Sequence, residues 1–513
     1  MTDHHDVVVL GAGAGGGAAA ARLSEDPDRR VLLLEAGPDF PDEAELPPLF
    51  TVSGERTWRP AGIPEMDWGY LDEPLPNGRR VRLPRGRLVG GSTMVNATVA
   101  VRGADFDFDR WAAMGCDGWA WEDVLPRFTR LEHDHDHGDR PYHGDDGPVP
   151  VRRYPREQWA AIHDPFVAAC VEQGLTAVDD LNAPGADAGV VGAWPHNRTA
   201  DEVRRGTLTT YLRTARSREN LAIVPGALVD RVLLTGDRAT GVRYVDGTGR
   251  AVEVSCDLVI VAGGAYGSPA ILQRSGIGVP DRLRAAGIEP LVDLPVGQNL
   301  LDHPNCPFVL EAPSLSAMHG RLFATNCRGS VGMDGEPEWQ AFAMPIDAVA
   351  GHAGFVVCLN RMDAAGTVDV RSADPAAAPR IDHRYLTDPR DTARFAHAWA
   401  FFRELIERPA FRRHGVRETT AGQDVEEILA AGLSTAHHCA GTCRMGAADD
   451  PRSVVDPQLR VLGVEGLMVA DASVFPDNIM HNPNLTTMMV GETAAELVRG
   501  TIATGTVAEE QRS

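Results

Sequence analysis

The chain has 513 residues, 43% hydrophobic and 24% charged, with 49 basic against 72 acidic side chains and a formal net charge of −23. That length suits two or more domains around a large core. That charge argues against nucleic acid or an anionic membrane surface as the main partner, because phosphate backbones and acidic lipid are repelled.

No apolar run approaches the roughly 20 residues that span a bilayer. The polar stretch Met1–Asp6 runs straight into an apolar strand and leaves no room for a signal peptide, so the expected location is cytoplasmic. The eight cysteines are scattered, as free thiols would be. Cys439 and Cys443 lack a second ligand pair at zinc spacing, so no metal site is expected.

In chain order, Val7–Leu10 reads as a buried parallel strand, Ala18–Leu23 as a small-residue helix, and Arg30–Leu34 as a second strand ending on Glu35, which together make a βαβ unit. Phe40–Pro84, rich in Pro, Gly and Trp, reads as a long loop or lid. Leu131–Gly147, with His133, His135, His137 and His143 among aspartates, reads as a solvated polar loop and not as a metal tract. The runs Leu221–Val224, Val229–Leu234, Val242–Val245 and Leu258–Val261 suggest a β-meander. Thr392–Glu407 reads as a helix, Leu467–Ala470 as a strand, and Asn484–Arg499 as a closing helix.

This order predicts an α/β fold. A Rossmann-like dinucleotide domain is assembled from segments 1–155, 216–300 and 435–513. A second, α+β domain on a mixed or antiparallel sheet is inserted as segments 156–215 and 301–434.

Gly11, Gly13 and Gly16 form G-x-G-x-x-G after a strand and before a helix. The first glycine permits the tight turn, the second lets backbone approach a pyrophosphate, and the third lets helix and strand pack closely. The helix N-terminus then holds phosphate charge, and Glu35 is placed to bind a ribose diol. This motif alone leaves FAD and NAD open.

Four further stretches accompany it. They are Pro84-Arg85-Gly86-Arg87-Leu88-Val89-Gly90-Gly91-Ser92-Thr93-Met94-Val95-Asn96, Ala262-Gly263-Gly264-Ala265-Tyr266-Gly267-Ser268-Pro269, Val296-Gly297-Gln298-Asn299-Leu300-Leu301-Asp302-His303, and a C-terminal set. That set holds His438-Cys439-Ala440-Gly441-Thr442-Cys443-Arg444-Met445-Gly446, Asp471-Ala472-Ser473 and Asn482-Pro483-Asn484-Leu485-Thr486. Taken together, the sequence resembles the glucose-methanol-choline oxidoreductase family, in its bacterial choline-dehydrogenase-like branch, from Val7 to about Val498.

The resemblance implies a bound FAD and oxidation of a primary or secondary alcohol. By motif position, Gly11, Gly13, Gly16 and Glu35 match pyrophosphate and ribose contacts. Gly90, Gly91, Ser92 and Asn96 match the stretch passing the flavin ring, and Val229 matches the adenine contact. Gly263, Asp471, Ala472, Pro483 and Thr486 fall in the other cofactor-binding stretches. His438 and Asn482 match the catalytic pair. Alcohol oxidation asks for such a pair: a base that is neutral near pH 7, and a donor for the developing alkoxide.

His437 and His481 compete for the role of base or partner; the reading favoured here gives them supporting or solvent-gating roles. Asn482 competes with itself, because Pro483 reads as the first residue of a helix and makes Asn482 a natural cap. Cys439 stands where many members carry proline. Val95 stands where some relatives carry the histidine that binds FAD covalently, which implies non-covalent FAD.

Alternative functions are a hydroxynitrile-lyase-like cleavage with structural FAD, a flavin photodecarboxylase, and a non-catalytic flavoprotein. The electron acceptor is a quinone, a protein carrier or O₂, and the branch resembled favours a dehydrogenase. A quaternary ammonium would need an aromatic cage, for which Trp58, Trp68, Trp339 and Phe355 are available.

Overall fold

The computed structural model describes residues 4–51, 63–330 and 337–510. Along the chain, β1 (His4–Leu10), α1 (Ala14–Leu23) and β2 (Val31–Leu34) come first. Next come β3 (Leu221–Val224), β4 (Leu228–Thr235), β5 (Arg238–Val245), β6 (Ala251–Val261) and α2 (Gly264–Arg274). They are followed by β7 (Pro304–Glu311), β8 (Thr325–Gly329), β9 (Trp339–Asp347) and β10 (His352–Leu359). The chain ends with α3 (Pro389–Ile406), β11 (Leu467–Val469) and α4 (Asn484–Glu510).

The first sheet has seven strands in the order β3-β2-β1-β6-β5-β4, with β11 paired to the C-terminal end of β6. β3, β2, β1, β6 and β11 are parallel, while β6, β5 and β4 are antiparallel. Val7–Leu10 and Val31–Leu34 are buried throughout, as parallel strands covered on both faces are. Leu221–Val224, read as part of the meander, instead lies parallel outside β2 with Leu221 opposite Val31. A parallel neighbour arrives by a long crossover that local alternation does not reveal.

α1 starts at Ala14, before the predicted Ala18, and is built of Gly and Ala for close approach. A Cβ on Gly15 would lie 2.0 Å from the Ala470 carbonyl oxygen, and one on Gly491 of α4 would lie 2.2 Å from that of Gly15. Here packing overrides the weak helix propensity of glycine.

The second sheet has eight strands, with β7-β10-β9-β8 at its centre. It is antiparallel except where Thr176–Val178 runs parallel to Val190–Ala193 at one edge. α3, capped by Asp388 and with Pro389 at its start, lays Phe395, Trp399 and Phe402 over Phe308 and Phe355.

Two loop readings are corrected. The described part of Phe40–Pro84 is packed: Tyr70–Leu71 pairs with Arg82–Leu83, and Tyr70, Leu75, Val81 and Leu83 join the core of the second sheet. Leu131–Gly147 is a solvated loop only in part, with turns and exposed residues between His135 and Pro141 but a buried start and a buried His143. Glu132–Asp134 is a strand, and His143 is buried with Nδ1 2.6 Å from Glu132 and Nε2 2.9 Å from Asp180.

Glu132, Asp134 and His143 stand close enough to share a cation, but guanidiniums take that place: Arg153 bonds both Asp134 oxygens at 2.7 Å and Arg102 pairs with Glu132. The partners Arg102, Arg153 and Asp180 are distant in sequence, so local composition missed the cluster. Burial pulls the pKa of His143 down, but its bonds to Asp180 and Glu132 outweigh this and raise it. Among the described residues, no helix is long and apolar enough to cross a membrane.

Candidate active site

The glycine turn closes as its spacing requires. Gly11 has φ +104°, and a Cβ there would lie 2.4 Å from the Ala262 carbonyl oxygen at the end of β6. A Cβ on Gly16 would lie 1.9 Å from the Gly11 oxygen, so the third glycine packs helix against strand and does not line the cleft. A Cβ on Gly13 would meet nothing, since that face opens on a cleft of about 380 Å³. At the end of β2, Glu35 accepts the backbone N–H of Ala12 at 3.0 Å and of Gly37 at 2.9 Å. Burial pushes its pKa up to about 7 against those donors.

The cleft runs from Glu35 and Val229, past Gly13, Gly91, Ser92, Asn96, Gly263, Asp471 and Ala472, to His438, Asn482 and Pro483. Gly90 and Gly91 have φ of +97° and +52°, and a Cβ on Gly91 would lie 2.9 Å from the Gly13 Cα, so the two glycine loops touch. Asn96 Oδ1 accepts from Arg204 at 2.6 Å. Asp471 lines the cleft. Its carboxylate accepts from Gly264 at 2.7 Å, Ser268 at 2.5 Å and Ser473 at 2.8 Å, tying β11 to the start of α2. Thr486 is buried off the cleft, where its hydroxyl accepts the Gly103 N–H at 3.2 Å, and Thr487 lines the cleft instead.

At the far end, Asn482 Nδ2 donates to His438 Nε2 at 3.0 Å. α4 begins at Asn484, as the closing-helix reading has it, and not at the alternative Pro483, and Thr487 N–H bonds the Pro483 carbonyl at 2.8 Å. The Asn482 side chain is therefore spent on His438 and not on a cap.

His438 is fixed from behind. Its backbone N–H donates to Asp302 at 2.8 Å, and its Nδ1 lies 2.8 Å from His303 Nδ1. Asp302 also accepts from Tyr385 and Thr435. Its pKa is held at about 2; burial opposes this, and His383 with the two hydroxyls overcomes the burial. Burial holds His438 well below the ordinary histidine value, helped by His303, so the imidazole is neutral and ready to accept a proton.

The competitors separate. His437 lines the cleft from a strained backbone (φ +66°), with Nδ1 buried and unbonded. His481 turns into a different, water-sized cavity with Arg102, Asn182 and Asp187. Of the cage candidates, Trp68 lines the cleft, Trp339 and Phe355 lie in the second core, and Trp58 lies outside the described residues.

Asp302, His303 and Arg85 stand inside the motifs, where residue type and spacing alone assign them no task. Their signal was an acid, a base and a cation within glycine-rich motifs.

These histidines predict an acid-labile fold. Burial puts His303 and His437 at about 4 and also holds His438 and His481 well below the ordinary histidine value. Unfolded, each titrates near 6.5, so below that pH the unfolded chain binds more protons, and each buried histidine lowers stability by up to about 1.4 kcal/mol per pH unit until its folded pKa is passed. His143 has the opposite sign: its contribution is present below its unfolded pKa and lost as pH rises through the folded one. The urea midpoint is expected to fall steeply from pH 6.5 to 4. A flat profile would show that these rings are protonated in the fold.

A glycine turn, a buried acid at the end of the second strand and a neutral histidine–amide pair at the end of one long cleft are the features of a flavin-dependent oxidoreductase acting on CH–OH donors. The chain belongs to the GMC oxidoreductase family, which it matches over residues 6–305 and 363–491. It is 35% identical to an oxygen-dependent choline dehydrogenase of Rhizobium etli, over 96% of this chain and 95% of that one. It is 34% identical to oxygen-dependent choline dehydrogenase 1 of Chromohalobacter salexigens, over 97% and 95%. Among solved structures it is similar to pyridoxine 4-oxidase from Mesorbium loti, with TM-score 0.86 and 30% identity over 96% of this chain and 98% of that one.

Proposed function

We propose that the enzyme oxidises a primary or secondary alcohol to the carbonyl compound with His438 as base. The observation that carries this is the 3.0 Å bond between Asn482 Nδ2 and His438 Nε2 at the cleft end. FAD, when bound, supplies the hydride acceptor at N5. Gly11, Gly13 and the start of α1 hold its pyrophosphate, Glu35 its ribose diol, and the backbone at Val229 its adenine. Gly16 acts indirectly, by packing α1 against the strand. Gly90, Gly91, Ser92 and Asn96 pass its ring, with Gly263, Asp471, Ala472 and Pro483 beside it. Thr486 acts indirectly, by fixing the Gly103 backbone next to α4. The fit is supported by the open face at Gly13 and the close touch of Gly13 with Gly91.

The substrate hydroxyl displaces the Asn482–His438 bond and gives its proton to His438 Nε2. Asn482 then donates to the alkoxide oxygen without titrating. Val95, which lines the cleft, has no ring nitrogen to form a covalent link, so FAD is held non-covalently. O₂ is the acceptor; the relatives named oxygen-dependent or oxidase support this over a quinone or protein carrier. The buried free state of all eight cysteines supports a cytoplasmic enzyme.

Trp68, Tyr70 and Tyr266, which line the same cleft as His437, suit a neutral, flat alcohol better than a quaternary ammonium. Among the described residues, the cleft's carboxylates, Glu35 and Asp471, are bonded to backbone.

The test is anaerobic addition of benzyl alcohol and, separately, choline to the holoenzyme, followed by flavin absorbance. Bleaching with an alcohol is expected. No bleaching with any alcohol, while mandelonitrile is cleaved, would replace this reading with a lyase.

A further inference from the structure

The His438 end of the cleft holds a permanent cation that hydride transfer from the alcohol does not use. Arg85 lines it with no carboxylate within ion-pair distance among the described residues. Its side-chain hydrogen bond goes from Nη2 to Cys439 Sγ at 2.6 Å, and its guanidinium carbon sits 5.2 Å from the Tyr266 ring centroid. The backbone is clamped on both sides: Arg85 N–H donates to Asp67 Oδ1 at 2.9 Å, and its carbonyl accepts the Trp68 N–H at 3.0 Å.

By contrast, Arg274, which also lines the cleft, stands at the Val229 end and spends its guanidinium on the Asp230 and Val229 carbonyls at 2.7 and 3.1 Å. The carboxylate whose field reaches Arg85 is Asp302, and the two form no ion pair, because the Asp302 oxygens are taken by Tyr385, Thr435 and the His438 N–H; His437 and His438 are neutral.

A guanidinium that lines a cleft without a paired carboxylate keeps its donors and its field available to a negative charge that forms there. In this reaction that charge forms where the two electrons arrive. We propose that Arg85 offsets the negative charge that FAD gains on reduction, adding to the positive end of α4, and so raises the flavin potential. The proposal rests on FAD lying in this cleft, and not on His438 being the base.

The test uses the holoenzyme and two readouts that need no alcohol: the flavin midpoint potential, and the affinity for sulfite, which adds to the ring as an anion. Arg85→Gln is expected to weaken sulfite binding at least tenfold and to lower the potential by about 30 mV, the two-electron equivalent of that factor. Arg85→Lys, which keeps the charge, is expected to stay nearer the parent. Cys439→Asp leaves Arg85 in place but pairs it, and should act like Arg85→Gln; it decides the question where Arg85→Gln fails to retain flavin. Unchanged sulfite affinity and potential in the neutralised variants, or an equal loss in Arg85→Lys, overturns the proposal. Neither result bears on the base, which the flavin reduction rate of a His438 variant reports separately.

Discussion

Replacing His438 with alanine is expected to lower the rate of anaerobic flavin reduction by about a hundredfold or more, the range a positioned general base contributes. The effect follows from three facts about one ring. Its Nε2 faces the cleft and already holds the Asn482 amide at 3.0 Å, the place a substrate hydroxyl would take. Its other nitrogen is occupied by His303 at 2.8 Å, so the side chain cannot swing away. Burial keeps it unprotonated, so Nε2 is open as an acceptor.

His437→Ala is the control. That ring is also neutral and lines the cleft, but it has no bond to Asn482. Stopped-flow absorbance at saturating alcohol separates the two. A large loss in His437→Ala with a small one in His438→Ala would move the base to His437. Flavin content of each variant must match the parent, so that the comparison reports chemistry and not cofactor loss.

The second large effect is structural. Gly16→Ala is expected to remove most bound flavin and to destabilise the fold by about 3 kcal/mol or more, the upper range for an overpacked core, because the new Cβ would sit 1.9 Å from the Gly11 carbonyl oxygen. A backbone atom inside a parallel-sheet turn cannot yield as a flexible side chain would. Gly13→Ala provides the contrast. Its Cβ meets no protein atom, so the melting temperature of the apoprotein should hold while FAD affinity falls, since the methyl projects into the cleft. Thermal unfolding with and without added FAD distinguishes them. Equal melting temperatures for the two apoproteins would refute the assignment of packing to Gly16 and of ligand approach to Gly13.

Much of the site was legible because its motifs are short-range devices. A strand, three glycines at fixed spacing, a small-residue helix and an acid at the next strand end can make few structures other than this turn. What failed to read was everything that depends on partners far away in sequence. Leu221–Val224 has the alternation of a meander strand, yet it pairs with β2, nearly two hundred positions earlier. His143 sits in a stretch with the composition of a wet loop, and it became buried only because Arg102, Arg153 and Asp180 converge to neutralise Glu132 and Asp134. Asn482 could equally have been a helix cap. The start of α4 at Asn484 decided otherwise.

The sequence by itself determined the nucleotide-binding turn, the family and the neighbourhood of the chemistry, since those are written in contiguous motifs whose glycines answer to backbone sterics. Only the tertiary structure decided which polar side chains are free to act. It spent Asp471 on α2, turned His481 into another cavity, closed Asp302 and His303 behind His438, and left Arg85 without an ion-paired carboxylate among the described residues. The physical reason is that the protonation state and availability of a buried polar group depend on burial and on every donor and acceptor around it, and those are assembled from several distant segments at once.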